Sequence, residues 1–113
     1  MTTLPEDFGV SVVQAGGNAD VRPIGELDIA TVAELNERLD AVIDAGTGDV
    51  AIELGSVTFL DSTGISALLT ARQRLHSVDR RLTLRNPTKQ AYRVLEVSGL
   101  LDLFDIESDV QPD

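Results

Sequence analysis

The 113-residue sequence contains no cysteine and no tryptophan, and aromatic residues make up only 4% of it. A chain without cysteine forms neither disulfides nor thiolate metal sites, and this suits a reducing compartment. No stretch approaches the roughly 18 consecutive apolar residues of a membrane span. The N-terminal segment "MTTLPEDFGV" also lacks the basic and apolar regions of a signal peptide. We therefore expect a soluble, cytoplasmic protein with no membrane partner and a core of Val, Ile, Leu and Ala.

Basic residues are also scarce. Nine Lys and Arg residues stand against 19 Asp and Glu residues, so the formal net charge is −10. This charge would repel a phosphate backbone, and we expect no nucleic-acid partner. The length fits one compact domain. We place a single domain at residues 8–106, between terminal tails at residues 1–7 and 107–113, and the second tail is acidic.

Short β-rich segments alternate with helical patterns along the chain. "FGVSVVQ" and "ADVRPIG" flank the turn sequence "AGGN" and predict an opening hairpin. Pro23, inside the second segment, predicts a position at an edge or near a strand end. Further strands are predicted at "DVAIEL" and "RLTLR". The fold class is therefore α/β, with a small mixed β-sheet in which an antiparallel hairpin joins parallel strands, and helices packed on the sheet.

Three helices are predicted between these strands. An amphipathic pattern runs from Ile29 to Ile43 and begins either at Asp28 or at Thr31, where Glu34 completes a capping box. A second apolar stripe predicts a helix from about Ser62 to His76. The third helix is predicted with Asn86 as its N-cap, Pro87 as its first residue and Gly99 at its C-terminal end. The apolar residues 100–106 form a last element, either a strand or a short helix.

The segment "DSTG", Asp61 to Gly64, follows the "SVTFL" stretch and precedes the second helix. In α/β sheets, functional sites usually lie where a strand ends and the next helix begins. Free backbone N–H groups and the helix dipole stabilise negative charge there, so the Ser62 hydroxyl is suited to carry a phosphate. Asp, Ser and Thr are also the ordinary N-cap residues. The four residues alone therefore leave a simple helix start and a functional site both open.

Catalytic and metal-binding alternatives find little support in the sequence. A nucleophilic Ser62 needs a base, but the only histidine, His76, lies 14 residues further along the same predicted helix, about 21 Å away. A carboxylate metal site would need Glu26, Asp28 and Asp61 to converge, and their spacing is unspecific. A phosphoacceptor aspartate would need a lysine at another strand end, whereas the single lysine falls in the third helix. We predict no catalytic residue, metal or cofactor.

Three segments together resemble the STAS domain family. They are "GELDIATVAELNERL" (residues 25–39), "VTFLDSTGISALL" (residues 57–69) and "NPTKQAYRVLEVSGLLDLF" (residues 86–104). Their order and spacing are those seen in STAS domains, and the resemblance covers nearly the whole chain from the hairpin to residue 104. Among STAS domains the sequence is most similar to the stand-alone bacterial anti-sigma factor antagonists. The resemblance implies a STAS-like fold and a regulatory protein that is not an enzyme.

The resemblance also implies a phosphorylation switch. In such antagonists the unphosphorylated protein binds an anti-sigma factor, which is also a serine kinase, and so releases a sigma factor. Phosphorylation of the serine after the aspartate blocks this binding, and a serine phosphatase restores it. By position the acceptor is Ser62. The partner-binding residues implied are Asp28, Asp61, Ser62, Thr63 and Gly64.

A second function remains open at this point. A STAS-like domain could instead hold a nucleotide or a lipid, or serve as an accessory module of a transporter. The sequence has no phosphate-cradling G-x-x-x-x-G-K-[ST] loop.

Overall fold

A computed structural model describes residues 8–109, in which six strands and three helices follow one another. The strands are β1 (Gly9–Ala15), β2 (Asn18–Leu27), β3 (Val50–Glu53), β4 (Val57–Leu60), β5 (Leu82–Arg85) and β6 (Asp105–Glu107). The helices are α1 (Val32–Ala45), α2 (Ser62–His76) and α3 (Lys89–Val97). The bounds of α2 match the prediction, and the last apolar segment ends as a strand.

The strands form one mixed sheet in the order β1-β2-β3-β5-β6, and β4 pairs with β2 as well. β1 and β2 are antiparallel, as the "AGGN" turn predicts, and the other pairs are parallel. β2 is ten residues long, so its first part pairs with β3 and its last part with β4. The predicted fold class, a small mixed sheet with an opening hairpin and packed helices, is confirmed.

Pro23 lies in the middle of β2, so the prediction of an edge position or a strand end is wrong. β1 pairs with β2 along one edge, and the opposite edge pairs with β3 up to Val21 and with β4 from Gly25 onward. Odd-numbered residues of β2 direct their N–H groups to that opposite edge, as Ala19 and Gly25 do. Pro23 lies in the gap between β3 and β4, where no ladder hydrogen bond is lost by its missing N–H.

β4 is a strand that is not among those predicted from the sequence. Its four residues bury only Val57 and Leu60, whereas Thr58 and Phe59 are exposed. This burial does not follow the alternation that marks a half-buried strand. β4 is therefore recognised as a strand by its pairing with the end of β2, since its own sequence pattern does not indicate one.

The start of α1 is one of the two predicted, without its capping box, and the start of α3 differs from the prediction. α1 begins after Thr31, whose side chain makes no capping hydrogen bond, so the capping box does not form. Ile29 precedes the helix and is 81% exposed. α3 begins after Thr88, whose hydroxyl accepts a hydrogen bond from the backbone N–H of residue 91.

Asn86 is not the N-cap of α3, and Pro87 is not its first residue. Asn86 has a φ of 51°, and its side-chain amide donates to Glu53 (3.1 Å) and Asp109 (3.0 Å). It therefore ties the end of β5 to its neighbours, and the helix starts two residues later than expected. Gly99 has a φ of 73° directly after the C-cap of α3, which confirms it as the C-terminal glycine.

One face of the sheet carries the core. Buried and partly exposed residues alternate along β3 and β5, which places the buried ones beneath the helices. α1 contacts β1 and β2, α2 contacts β4 and β5, and α3 contacts β4. Fully buried side chains of this core include Val21, Ile52, Leu84, Leu35, Leu68 and Leu95. No helix within residues 8–109 is both long and apolar enough to cross a membrane.

An ion pair on the surface joins Arg81, the residue before β5, to the first residue of β6, and it yields a pH-dependent prediction. Arg81 donates to the Asp105 carboxylate at 2.8 Å, and this hydrogen bond lowers the pKa of Asp105. The pair therefore stabilises the fold above the unfolded-state pKa of the carboxyl group, and its contribution disappears as the pH falls through the lowered value. We expect Arg81→Gln to raise the pKa of Asp105 toward its ordinary value in an NMR titration. Arg22→Gln, the matched control, should leave it unchanged.

Candidate functional site

The predicted site residues come together because β2 and β4 end side by side. Leu27 and Leu60, the last residues of these parallel strands, are direct partners in the register. The backbone N–H of Asp61 then donates to the carbonyl of Leu27 at 3.4 Å. Asp28 and Asp61 thus follow adjacent strand ends, at the edge of the sheet where α/β folds usually carry their sites.

Asp61 is the N-cap of α2. Its carboxylate oxygen Oδ1 accepts hydrogen bonds from the backbone N–H groups of Thr63 (2.9 Å) and Gly64 (3.2 Å). These bonds satisfy two of the N–H groups that a helix start leaves without partners. The carboxylate therefore fixes the first turn of α2, in which Ser62 is the first residue.

Ser62 is exposed, and within residues 8–109 no hydrogen bond engages its hydroxyl. A neutral, exposed hydroxyl at a helix start is accessible to a modifying enzyme. A phosphate there would gain from the positive end of the helix dipole. It would also lie next to the Asp61 carboxylate in the sequence, so the added charge of about −1.5 to −2 would make this surface strongly negative.

Gly64 is buried, and its role in the structure is packing. A Cβ atom at this position would lie 2.5 Å from Leu60 Cδ1 and 3.0 Å from Leu27 Cγ. At such distances a side chain on residue 64 would force the buried Leu60 and Leu27 side chains to shift, whereas glycine lets the first turn of α2 approach them without this. Thr63 is half-buried beside it. The surface that a partner can contact at this turn is therefore formed mainly by Ser62, with Asp61 and Thr63 half-exposed.

Thr31 holds the other loop of the site, and the sequence analysis missed this role. It is 4% exposed, and its hydroxyl donates to the carbonyl of Glu26 at 2.7 Å and accepts from the backbone N–H of Asp28 at 3.0 Å. The Asp28 carboxylate in turn accepts from the N–H of Ala30 at 2.9 Å. The only sequence signal for this role is a threonine three residues after an aspartate, and the same spacing also fits a helix cap.

We expect Thr31→Val to lower the free energy of unfolding by about 1–2 kcal/mol, because the carbonyl of Glu26 and the N–H of Asp28 lose their buried partner without a change in shape. Urea unfolding monitored by circular dichroism measures this. Thr70→Val on the exposed side of α2 is the matched control and should change stability by less than about 0.5 kcal/mol. Equal losses in the two variants would contradict the role given to Thr31.

Gln90 of α3 is a second residue that the sequence analysis missed. Its side-chain amide forms two hydrogen bonds with the backbone of Leu60, at 2.9 and 3.0 Å. Because the two residues lie 30 positions apart, no local pattern relates them. Only the packing of α3 against β4 brings this amide to the strand that leads into Asp61.

The catalytic and metal alternatives receive no geometric support. Ser62 and His76 are the first and last residues of α2, so they stand about 21 Å apart along the helix axis. Among the described residues, no three acidic or histidine side chains are grouped as ligands for a metal ion. The histidine that nucleophilic chemistry at Ser62 would use therefore lies out of reach at the other end of α2.

Comparison with known proteins relates this geometry to one family. The family model for the STAS domain matches residues 10–112. The anti-sigma-B factor antagonist of Staphylococcus epidermidis is 32% identical over 92 residues, which cover 81% of this chain and 85% of that protein.

Two solved structures have the same fold. SpoIIAA, an anti-sigma factor antagonist in its unphosphorylated form, superposes with a TM-score of 0.78 at 22% identity, covering 91% of this chain and 90% of that one. The Bacillus cell fate determinant SpoIIAA in the phosphorylated form gives a TM-score of 0.71 at 22% identity, with 92% of each chain covered. At this level of identity the likeness concerns the fold.

Proposed function

Because this chain belongs to the STAS domain family, we propose that it is an anti-sigma factor antagonist, which binds an anti-sigma factor and so releases a sigma factor. The observation that carries the proposal is the similarity to a relative of that name over most of both chains. The role is regulatory binding in the cytoplasm. The surface that binds the anti-sigma factor is formed by Asp28, Asp61, Ser62 and Thr63, with Gly64 packed beneath.

The proposal includes a switch at Ser62. The anti-sigma factor is also a serine kinase that phosphorylates Ser62 with ATP, and a serine phosphatase reverses the modification. An exposed serine with no histidine in reach suits an acceptor, because the kinase supplies the base that removes the hydroxyl proton. The helix start accommodates the phosphate because the positive end of the α2 dipole lies there, although the N–H groups of Thr63 and Gly64 already donate to Asp61.

The same phosphate would act against the partner. A surface fitted to a neutral hydroxyl would have to accommodate about −1.5 to −2 charges beside Asp61, whose carboxylate is already committed to capping α2. Asp28 lies at the neighbouring strand end and adds to the negative potential. Phosphorylation therefore needs no change of fold to prevent binding, since the repulsion arises at the contact itself.

The test is phosphorylation by each anti-sigma factor kinase of the source organism, with Mg-ATP and peptide mass spectrometry. We expect one phosphate, on Ser62, which is lost in Ser62→Ala. Ser66→Ala is the matched control, since Ser66 is an exposed serine four residues further along α2. A phosphate that maps to Ser66, or one that persists in Ser62→Ala, would overturn the assignment of the acceptor.

A further inference from the structure

β4, the strand that leads into the site, is weakly held by the sheet. It pairs with β2 alone, over three residue pairs, and the register shifts between Gly25 and Glu26. Its other edge faces α3, and no strand within residues 8–109 pairs with that edge. The backbone groups of this edge need partners from another source, because buried N–H and C=O groups are nearly always hydrogen-bonded.

Side chains from the start of α3 supply those partners. Gln90 Oε1 accepts from the N–H of Leu60 at 2.9 Å, and Gln90 Nε2 donates to the carbonyl of Leu60 at 3.0 Å. The Thr88 hydroxyl donates to the carbonyl of Val57 at 3.1 Å. Gln90 thus provides the donor and acceptor that one residue of a neighbouring strand would provide.

Leu60 connects this contact to the switch. It is 1% exposed and immediately precedes Asp61, which caps the helix that Ser62 begins. On its other side Leu60 pairs with Leu27, the residue before Asp28. We infer that Gln90 is a positioning residue for the Ser62 site: by hydrogen-bonding both backbone groups of Leu60, it fixes the end of β4 and hence the place of Asp61 and Ser62. This inference rests on the proposed function for what the site does.

Gln90→Leu tests the inference, because leucine is similar in size and forms neither hydrogen bond. We expect the amide hydrogen of Leu60 to exchange about tenfold faster in NMR, since its acceptor is lost. We also expect kcat/KM for phosphorylation of Ser62 to fall about tenfold, mainly through kcat, because a displaced acceptor is bound but badly oriented. Gln73→Leu makes the same chemical change on the exposed side of α2 and should alter neither quantity.

Gln90→Glu adds a readout that a merely structural contact would not give. A protonated carboxyl group has the same donor and acceptor pattern as the amide, whereas an ionised carboxylate keeps only acceptors and faces the carbonyl oxygen of Leu60. The ratio of variant to wild-type kcat/KM should therefore rise toward one as the pH is lowered toward the range in which the new group is protonated. Gln90→Leu should show a ratio that does not change with pH.

The outcomes separate this inference from the proposed function. If wild type is neither phosphorylated on Ser62 nor bound by an anti-sigma factor, the proposed function fails, and the inference fails with it even when Leu60 exchange shows that the contact exists. If wild type is phosphorylated on Ser62 but Gln90→Leu reacts equally fast, only the inference is overturned, whether or not exchange at Leu60 has changed. A pH-independent ratio for Gln90→Glu also overturns it.

Discussion

Ser62→Asp is expected to weaken binding of the anti-sigma factor by about 100-fold or more, because it introduces a fixed negative charge into the proposed contact, which is fitted to a neutral hydroxyl. The new carboxylate would lie directly after Asp61, whose own carboxylate cannot move away without uncapping α2. Calorimetric titration of the purified anti-sigma factor with wild type and variant measures the effect. Ser62→Ala should retain binding, since it removes a hydroxyl and adds no charge.

The fold should tolerate Ser62→Asp, which makes the binding loss interpretable. Ser62 is the first residue of α2 and is exposed, so an acidic side chain there interacts favourably with the helix dipole. We expect a melting temperature equal to or slightly above that of wild type. Ser66→Asp, four residues further along α2, is the matched control for charge and should reduce affinity far less. Equal losses at the two positions would indicate nonspecific repulsion, and unchanged binding by Ser62→Asp would overturn the switch.

The parts of the fold that were predicted correctly have local causes. α2 was predicted over its observed range because Asp61 is a standard N-cap and an apolar stripe follows it. The hairpin was predicted because "AGGN" contains two glycines, which both adopt a positive φ at the turn. In these cases a few neighbouring residues carry the whole signal.

The parts that were missed depend on contacts across the chain. Asparagine is a common N-cap residue, but hydrogen bonds to Glu53 and Asp109 hold Asn86 at the end of β5 instead. Pro23 is tolerated inside β2 only because β3 and β4 leave a gap beside it. Neither arrangement can be read from the residues that flank these positions, since the partners lie more than 20 residues away.

The candidate site divides in the same way. Ser62 and its capping aspartate are adjacent in the sequence and were singled out there, whereas Thr31 and Gln90 act on the site through backbone groups of other segments. Every residue type has a backbone carbonyl, and all but proline have a backbone N–H, so a hydrogen bond to the backbone does not require a particular residue at that position. A local pattern therefore points to Ser62, the proposed phosphorylation site, but not to the side chains that we infer hold it in place.

Gly64→Val should be the most destabilising single change at the site, lowering the free energy of unfolding by about 3 kcal/mol, at the upper end of the cost of overpacking. The added carbons would meet Leu60 Cδ1 and Leu27 Cγ, and both leucines are at most 1% exposed and so have no free space to enter. The start of α2 would have to lift from the sheet and carry Ser62 with it, so partner binding should weaken too. For a domain of this size the loss corresponds to a fall in melting temperature of roughly 10–20 °C.

Ser66→Val places the same side chain on the exposed side of the same helix turn, where no packing is disturbed. We expect it to cost less than about 0.5 kcal/mol, the ordinary effect of a β-branched residue in a helix. Thermal unfolding of the two variants in parallel separates packing from helix propensity. If Gly64→Val and Ser66→Val had the same melting temperature, the close approach of α2 to Leu27 and Leu60 would not explain the glycine at position 64.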